Sequence, residues 1–218
     1  MPGTLPARCP VCSAPSPADF GTFEGRGYWR CDSCMARGLA PGHFPDAAAE
    51  RAEYDRHDNR VDDPGYRRFL DRLASPLKAR LAPRARGLDY GCGPGPALAA
   101  MLREAGHEVA LFDPVYAPDP APLCATYDFV TCTEVAEHFH RPADEFDRLG
   151  ALLRPGGWLA VMTCFQTDDA AFGGWHYRKD PTHVVFYREH TLRHIAAARG
   201  WSCEIPCKDV ALLRVPGP

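Results

Sequence analysis

Residues 87–96, with the sequence GLDYGCGPGP, decide the fold of this 218-residue chain. They are typical of the end of a buried strand, a glycine-rich turn and the start of a helix. Glycines at positions 91, 93 and 95 allow positive φ and leave room for a ligand against the backbone. Pro96 suits a first helical residue, where its missing N–H costs nothing. Because N–H groups at a helix start attract anions, this turn is a candidate binding site.

The segments after this turn alternate between helix and strand, which predicts an α/β sheet. Gly106 suits the residue after a first helix that runs from 96 to 105. The predicted strands are 107–113, 127–132 and 158–164, followed by a helix over 188–199 and a closing antiparallel pair at 201–207 and 210–215. Only thirteen residues, four of them proline, separate Asp113 from Tyr127. Since a parallel crossover needs a dozen or more residues for its connection alone, we expect one edge strand to be missing or rudimentary.

The glycine-rich stretch resembles the first motif of class I S-adenosylmethionine (SAM) methyltransferases, an acidic residue followed by x-G-x-G-x-G. A dinucleotide fingerprint would instead require glycine at position 96, where this chain has proline. Later motifs agree with the resemblance: Asp113 ends the second strand, EVAEH follows the next one, and LRPGG precedes another. The resemblance covers residues 87–164 and implies a Rossmann-like class I methyltransferase sheet, with Asp113 on the SAM ribose and part of the adenine pocket built by the proline-rich loop. The implied SAM contacts are Asp89, Tyr90, Gly91, Cys92, Gly93, Gly95, Asp113, Cys132 and Thr133.

The EVAEH segment predicts a second site. Glu134, Glu137 and His138 are spaced i, i+3 and i+4, so on a helix they would share one face, just past the carboxyl end of a central strand, where open α/β sheets bind ligands. The spacing resembles two SAM-dependent families, the small-RNA 3′-terminal 2′-O-methyltransferases and the catechol O-methyltransferases of ubiquinone synthesis. That resemblance, which adds His183, implies that the four side chains hold Mg²⁺ or Mn²⁺. Mixed oxygen and imidazole ligands favour Mn²⁺ or Fe²⁺ over Mg²⁺.

Such a cation would lower the pKa of an acceptor hydroxyl and hold it in line with the SAM methyl group. The alternative is that the acids only favour a helix start, and that His138 or His176 serves as a general base. Asp180 is a further candidate ligand or base. We also expect four aromatic residues to wall the pocket, namely Trp175, Tyr177, Phe186 and Tyr187.

Two C-x-x-C pairs, Cys9–Cys12 and Cys31–Cys34, lie eighteen residues apart. This spacing predicts a structural four-cysteine zinc site, with a β-hairpin between the pairs. A redox pair is the alternative. The predicted ribbon either stabilises the chain or contacts a substrate, a nucleic acid or a protein partner. The other six cysteines are predicted to be buried thiols.

Between the ribbon and the sheet the pattern is helical. We divide the chain into a zinc ribbon (1–45), a helical cap or linker (46–86) and a SAM-binding domain (87–218). Candidate cap residues are Tyr54, His57, Asn59 and Tyr66. Pro76 should kink or split the second cap helix. The basic stretch 66–86 is either a solvated face or an anion-binding surface.

The net charge is −3, so no overall field draws in nucleic acid. The chain contains no apolar run long enough to span a bilayer, and no signal peptide is visible. We therefore expect a cytoplasmic protein with reduced thiols. The favoured function is SAM-dependent methylation of a small molecule, in preference to an RNA end. The rival function is that of a non-catalytic zinc-ribbon binding protein on a SAM-like scaffold.

Overall fold

The computed structural model describes residues 4–56 and 59–217. Their strands are β1 (Ala18–Phe23), β2 (Arg26–Arg30), β3 (Arg37–Leu39), β4 (Arg86–Tyr90), β5 (Glu108–Phe112), β6 (Tyr127–Thr133), β7 (Leu153–Met162), β8 (Val185–Phe186), β9 (Ser202–Cys207) and β10 (Val210–Arg214). Their α-helices are α1 (Ala47–Tyr54), α2 (Pro64–Lys78), α3 (Ala97–Glu104), α4 (Pro142–Ala151), α5 (His176–Lys179) and α6 (Glu189–Ala198). None of the helices in these ranges is long and apolar enough to cross a membrane.

The main sheet has six strands in the order β5-β4-β6-β7-β10-β9. The first four are parallel neighbours, and β10 pairs antiparallel with both β7 and β9. This arrangement confirms the predicted α/β sheet and its closing antiparallel pair. It also confirms the reduced edge, because β5 is the outermost strand and the short connection to β6 forms only a 3-10 turn at Ala121–Cys124. Because β4, β5 and β6 are parallel, their carboxyl ends lie together at one end of the sheet.

Helices cover both faces of this sheet. Leu73 of α2 and Leu102 of α3 pack with Phe129 on one face, whereas Phe146 of α4 and Ile195 of α6 belong to the core on the other. Side chains alternate along β6 because successive residues of a strand point to opposite faces.

Two local predictions can be compared with the structure. Pro76 does not split α2, which continues to Lys78, and a kink at Pro76 stays a prediction. Proline removes the amide that would bond the carbonyl of Arg72, and the Cys207 thiol lies 3.5 Å from that oxygen instead. Pro96 is the N-cap of α3 and not its first residue. Gly106 does follow this helix with φ of 91°, as predicted.

The N-terminal segment forms a second sheet, in the order β1-β2-β3-β8. Strands β1 and β2 are the predicted hairpin, and the four cysteine sulfurs lie within 4.8 Å of one another. This cluster fits a zinc ribbon. The fourth strand was not foreseen, because β8 has only two residues and comes from the segment between the main-sheet strands β7 and β9. The domain bounds stay a prediction.

Candidate active site

A cavity of about 900 Å³ lies at the carboxyl ends of β4, β5 and β6. Six of the predicted cofactor residues line it: Tyr90, Gly91, Cys92, Gly93, Asp113 and Thr133. The same cavity reaches Glu134, Glu137, His138, Asp180 and His183. The glycine-rich turn and the EVAEH segment therefore face one shared space.

The glycine-rich turn is built around Asp113. Gly91 and Gly93 have φ of 76° and 63°, a region that glycine adopts without strain. The Gly93 amide donates to Asp113 Oδ2 at 3.0 Å, and the amides of Val115 and Tyr116 donate to Oδ1 at 2.8 and 2.9 Å. A carboxylate has about four acceptor positions, so Asp113 is held rigidly and can still accept a bond from a hydroxyl group in the cavity.

Three of the predicted cofactor residues do not line this cavity. Asp89 is buried beneath the turn, where burial raises its pKa to about 6 and the Thr131 hydroxyl donates to it at 2.7 Å. A Cβ on Gly95 would stand 1.5 Å from the carbonyl oxygen of Asn59. Only glycine therefore allows the backbone of the cap segment to pack this closely. Cys132 is fully buried in the core.

The EVAEH segment is not the helix that its spacing predicts. Glu134 leaves β6 in the left-handed region with φ of 52°, and a 3-10 turn follows at Ala136–His138. The common helical face was therefore a wrong prediction. Glu137 and His138 nevertheless meet His183, and one ligand atom from each lies within 4.8 Å of the others. We call these three residues the acceptor-side cluster.

The two histidines of the acceptor-side cluster are held by backbone carbonyls. His138 Nδ1 lies 3.1 Å from the Thr182 oxygen, and His183 Nδ1 lies 2.7 Å from the Tyr177 oxygen. Because a carbonyl only accepts, each Nδ1 carries a proton, which leaves the Nε2 of a neutral ring with a lone pair. Both Nε2 atoms lie 4.0 Å from Glu137 Oε1. The lone-pair nitrogens of both rings therefore lie next to the same carboxylate oxygen.

The carboxylates here are strongly perturbed. Burial raises the pKa of Glu137, and its Oε2 finds no hydrogen-bond partner among the described residues. Burial and the charge of Glu137 raise the pKa of Glu134 to about 9, and burial lowers that of His138 to about 4. Burial would also raise the pKa of Asp180, but His183 and hydrogen bonds from Thr182 hold it below its usual range. Burial therefore favours the neutral imidazole of His138 and the protonated carboxyls of Glu134 and Glu137.

Tyr177 connects this group. Its hydroxyl donates to Glu137 and lies 3.2 Å from Glu134 Oε2. Glu134 is thus joined to the acceptor-side cluster through Tyr177 and is not one of its three members. Of the four aromatic residues expected to wall the pocket, Tyr177 alone lines the cavity. Phe186 and Tyr187 are fully buried.

The structure also places the other candidates. His176 is exposed and does not line the cavity. Tyr54 stands edge-on to the His138 ring at 5.3 Å, and Asn59 and Tyr66 line the cavity as cap residues. His57 lies outside the described residues. Sequence reasoning missed the pair between His140 Nε2 and Glu50 Oε1, 2.9 Å apart across the cavity mouth. No motif pointed to it.

The ribbon cysteines form a second candidate metal site. Sulfurs meet between the two knuckles, with Cys9 3.7 Å from Cys34 and Cys12 3.6 Å from Cys31. Four sulfurs about 2.3 Å from a common centre would be separated by about 3.8 Å. A hydrogen bond from Cys34 lowers the pKa of Cys9 to about 5, which favours a thiolate. The pairing across the knuckles fits tetrahedral zinc better than a redox pair within one C-x-x-C.

Comparison with known proteins agrees with this geometry. The methyltransferase domain family model matches residues 60–204. The ubiquinone biosynthesis O-methyltransferase of Xylella fastidiosa (strain M23) is 30% identical over an alignment covering 38% of this chain and 43% of that protein. The chain thus spans less than half the length of this curated relative.

Two solved structures share the fold. One is a 1,6-didemethyltoxoflavin-N1-methyltransferase of Burkholderia thailandensis, with S-adenosylhomocysteine bound (TM-score 0.57, 20% identity, 92% of this chain and 100% of that chain). The other is a mycolic acid cyclopropane synthase, also with S-adenosylhomocysteine (TM-score 0.55, 17% identity, 74% of this chain and 77% of that chain).

Proposed function

The chain belongs to the methyltransferase domain family, and from this premise we propose that it transfers the methyl group of SAM to a hydroxyl oxygen of a small molecule, assisted by a divalent cation at the acceptor-side cluster. One observation carries the proposal. A single cavity is lined by the Asp113 turn and by Glu137, His138 and His183. Donor and acceptor would therefore meet inside one shared cavity.

The residues of the turn fit SAM. A Cβ on Gly93 would meet no atom within 4 Å, so the backbone there is open to a ligand, and Asp113 retains acceptor capacity for a ribose hydroxyl. SAM supplies a methyl group on a positively charged sulfur, which leaves as a neutral thioether. The chain's part is to orient the two reactants and exclude water.

The acceptor-side cluster fits a divalent cation. Its potential ligands are one carboxylate and two imidazole Nε2 atoms. In both rings the proton is on Nδ1 and bonds a carbonyl, which is the usual arrangement of metal-binding histidines. Among the described residues, Glu137 Oε2 has no hydrogen-bond partner, and a cation at the cluster would offset the cost of burying this carboxylate. When bound, such a cation lowers the pKa of a coordinated hydroxyl. Tyr177 holds Glu137 in place, and Tyr54 covers His138 from the cap side.

A small acceptor suits the cavity better than a polynucleotide. Helix α1 lines the cavity through Glu50 and Tyr54. Glu50 contacts His140, and the Tyr116 hydroxyl donates to Asp55 Oδ1, just after this helix, at 2.7 Å. Oxygen as the acceptor atom is supported by the curated relative, which is named as an O-methyltransferase.

Calorimetric titration with SAM tests the first half of the proposal. Asp113→Ala removes the carboxylate that orders the turn and should weaken SAM binding at least about tenfold, since hydrogen bonds to a charged group contribute about 1.5–3 kcal/mol. Asp119→Ala is the control, because Asp119 is an exposed acid of the same loop. Equal affinity in wild type and Asp113→Ala, or no binding by the folded wild type, would refute SAM dependence through this turn.

Titration with Mn²⁺, followed by electron paramagnetic resonance, tests the second half. His183→Gln should abolish tight binding, whereas His176→Gln should leave it unchanged. If wild type binds no Mn²⁺ but still consumes SAM in the presence of acceptor, the cation is excluded. His138 would then be the candidate general base, because its ring lines the cavity and its Nδ1 is held by the Thr182 carbonyl, which leaves Nε2 to accept a proton.

A further inference from the structure

We propose that the zinc ribbon is an internal clamp, which positions the acceptor-side cluster by gripping residues 172–186 on both sides of His183. These residues are named the clamped segment. The inference concerns the site described under the proposed function, but it assigns the ribbon a role that needs no external partner. Three independent contacts between the ribbon and the rest of the chain support it.

The first grip is a strand pairing. Gly38 and Arg37 of β3 pair with Val185 and Phe186 of β8. The Leu39 amide donates to the carbonyl of Val184 at 2.9 Å, and the Val184 amide donates to the carbonyl of Glu137 at 2.9 Å. A continuous path of backbone hydrogen bonds therefore runs from the ribbon, through the residue after His183, to Glu137 itself.

The second grip is Arg178, which has 0% exposed surface. Its guanidinium reaches the ribbon hairpin, with Nη1 3.3 Å from the Tyr28 hydroxyl and Nη2 3.2 Å from Glu24 Oε2. It also donates to the carbonyl of Gly173 at 2.8 Å. Arg178 follows Tyr177, whose carbonyl and hydroxyl hold His183 and Glu137. Arg178 is thus a positioning residue, which acts on the cluster through its neighbour.

The third contact joins the ribbon to Asp169, just before the clamped segment, and to Gly173 within it. The side chain of Arg37 is 2% exposed and bonds both oxygens of Asp169, at 3.1 and 2.8 Å. Nearby, the Phe23 ring packs so closely on Gly173 that a Cβ there would stand 2.8 Å from the ring. The ribbon is therefore seated on the clamped segment through backbone, charge and apolar contact together.

Zinc matters to the clamp because a ribbon of this size is too small to fold on core burial alone. Folding of the ribbon is therefore coupled to zinc binding. The hydrogen bonds that fix Asp113 come from Gly93, Val115 and Tyr116, none of which lies in the ribbon. Leu88 of β4 and Val130 of β6 share a core with the ribbon cysteines. Loosening the ribbon should therefore disturb the acceptor-side cluster most, the sheet less, and the hydrogen bonds of Asp113 least.

Two adjacent glycines give a matched test in the full chain. Gly173→Ala places a methyl group against Phe23, whereas a Cβ on Gly174 meets nothing within 4 Å. Neither glycine has positive φ, so neither substitution forces a side chain into the left-handed region. Hydrogen–deuterium exchange is measured for peptides from residues 176–186 and from β4 and β6, and SAM affinity is measured by calorimetry. A third sample is Cys12→Ser treated with a chelator, which removes zinc without changing the clamped segment.

In Gly173→Ala and in the zinc-free sample, amides of 176–186 should exchange at least about tenfold faster than in wild type, while exchange in β4 and β6 rises less and SAM affinity changes little. Gly174→Ala should match wild type. Unchanged exchange in 176–186 after zinc removal would overturn the clamp. Equal loss of protection in β4 and β6 would overturn it too, because the ribbon would then be a general stabiliser. Neither readout requires methyl transfer. The exchange measurement can therefore still be interpreted if the protein proves not to transfer a methyl group.

Discussion

Asp89 should make the free energy of unfolding fall as the pH rises. Burial raises the pKa of this carboxyl from about 3.8 to about 6, so between these values the folded state binds more protons than the unfolded one. At about 1.4 kcal/mol per pH unit, the full effect is about 3 kcal/mol. About 2 kcal/mol of it is lost between pH 4.5 and pH 7. The contribution is complete below the unfolded pKa and disappears as the pH passes through the folded one.

Urea unfolding of wild type and Asp89→Asn at both pH values measures this contribution. Asparagine cannot ionise and still accepts from Thr131, so wild type should lose about 2 kcal/mol relative to the variant on going to pH 7. Any effect of pH on the zinc site cancels in the difference. Asp128→Asn is the control. Burial alone would raise the pKa of Asp128, but the Arg86 amide and Arg154 hold it below its usual range, so its stabilising contribution is almost complete above the unfolded pKa and wild type should run nearly parallel to that variant between pH 4.5 and pH 7. Parallel curves for wild type and Asp89→Asn would refute the argument.

Two further predictions concern the metal sites. Purified protein should contain about one zinc per chain, and a Cys9→Ser, Cys12→Ser double variant should lose it on elemental analysis; zinc that persists would mean that the ribbon is misassigned. Tyr177→Phe removes the donor to Glu137 and should weaken Mn²⁺ binding about tenfold or more without changing SAM affinity. Tyr127→Phe, which removes the hydroxyl of a buried tyrosine at the other end of β6, should not weaken Mn²⁺ binding, and equal losses in both variants would contradict a specific role for Tyr177.

The sequence was most informative where local chemistry dictates backbone shape. Glycines at 91 and 93 adopt positive φ, Gly106 ends α3, and the short proline-rich connection excludes an outer strand. Cysteine spacing likewise predicted the cluster of four sulfurs. Each of these features follows from residues near one another in the chain, so a single sequence contains the whole signal.

The site was harder to predict because it depends on distant contacts. Spacing alone suggested a helix at Glu134, but its amide still bonds the Met162 carbonyl at the end of the sheet, which keeps it outside the turn that follows. His176 and Tyr177 are neighbours, yet the tyrosine faces the cavity and the histidine faces solvent. The next residue, Arg178, contacts Tyr28 and Glu24 of the ribbon hairpin, and no local pattern encodes contacts between positions so far apart in the chain.

The pairing of β3 with β8 has a consequence for synthesis on the ribosome. The four cysteines emerge early and are close enough in sequence to collect zinc at once, but Gly38 must wait for Val185. At about 5–20 residues per second, that delay is on the order of ten seconds. Throughout it, the aromatic face of the hairpin formed by Phe20, Phe23 and Tyr28 lacks Phe172, the ring it packs against in the finished fold. Until residue 172 has been made, these three rings therefore lack one of their packing partners, even if the four cysteines have already bound zinc.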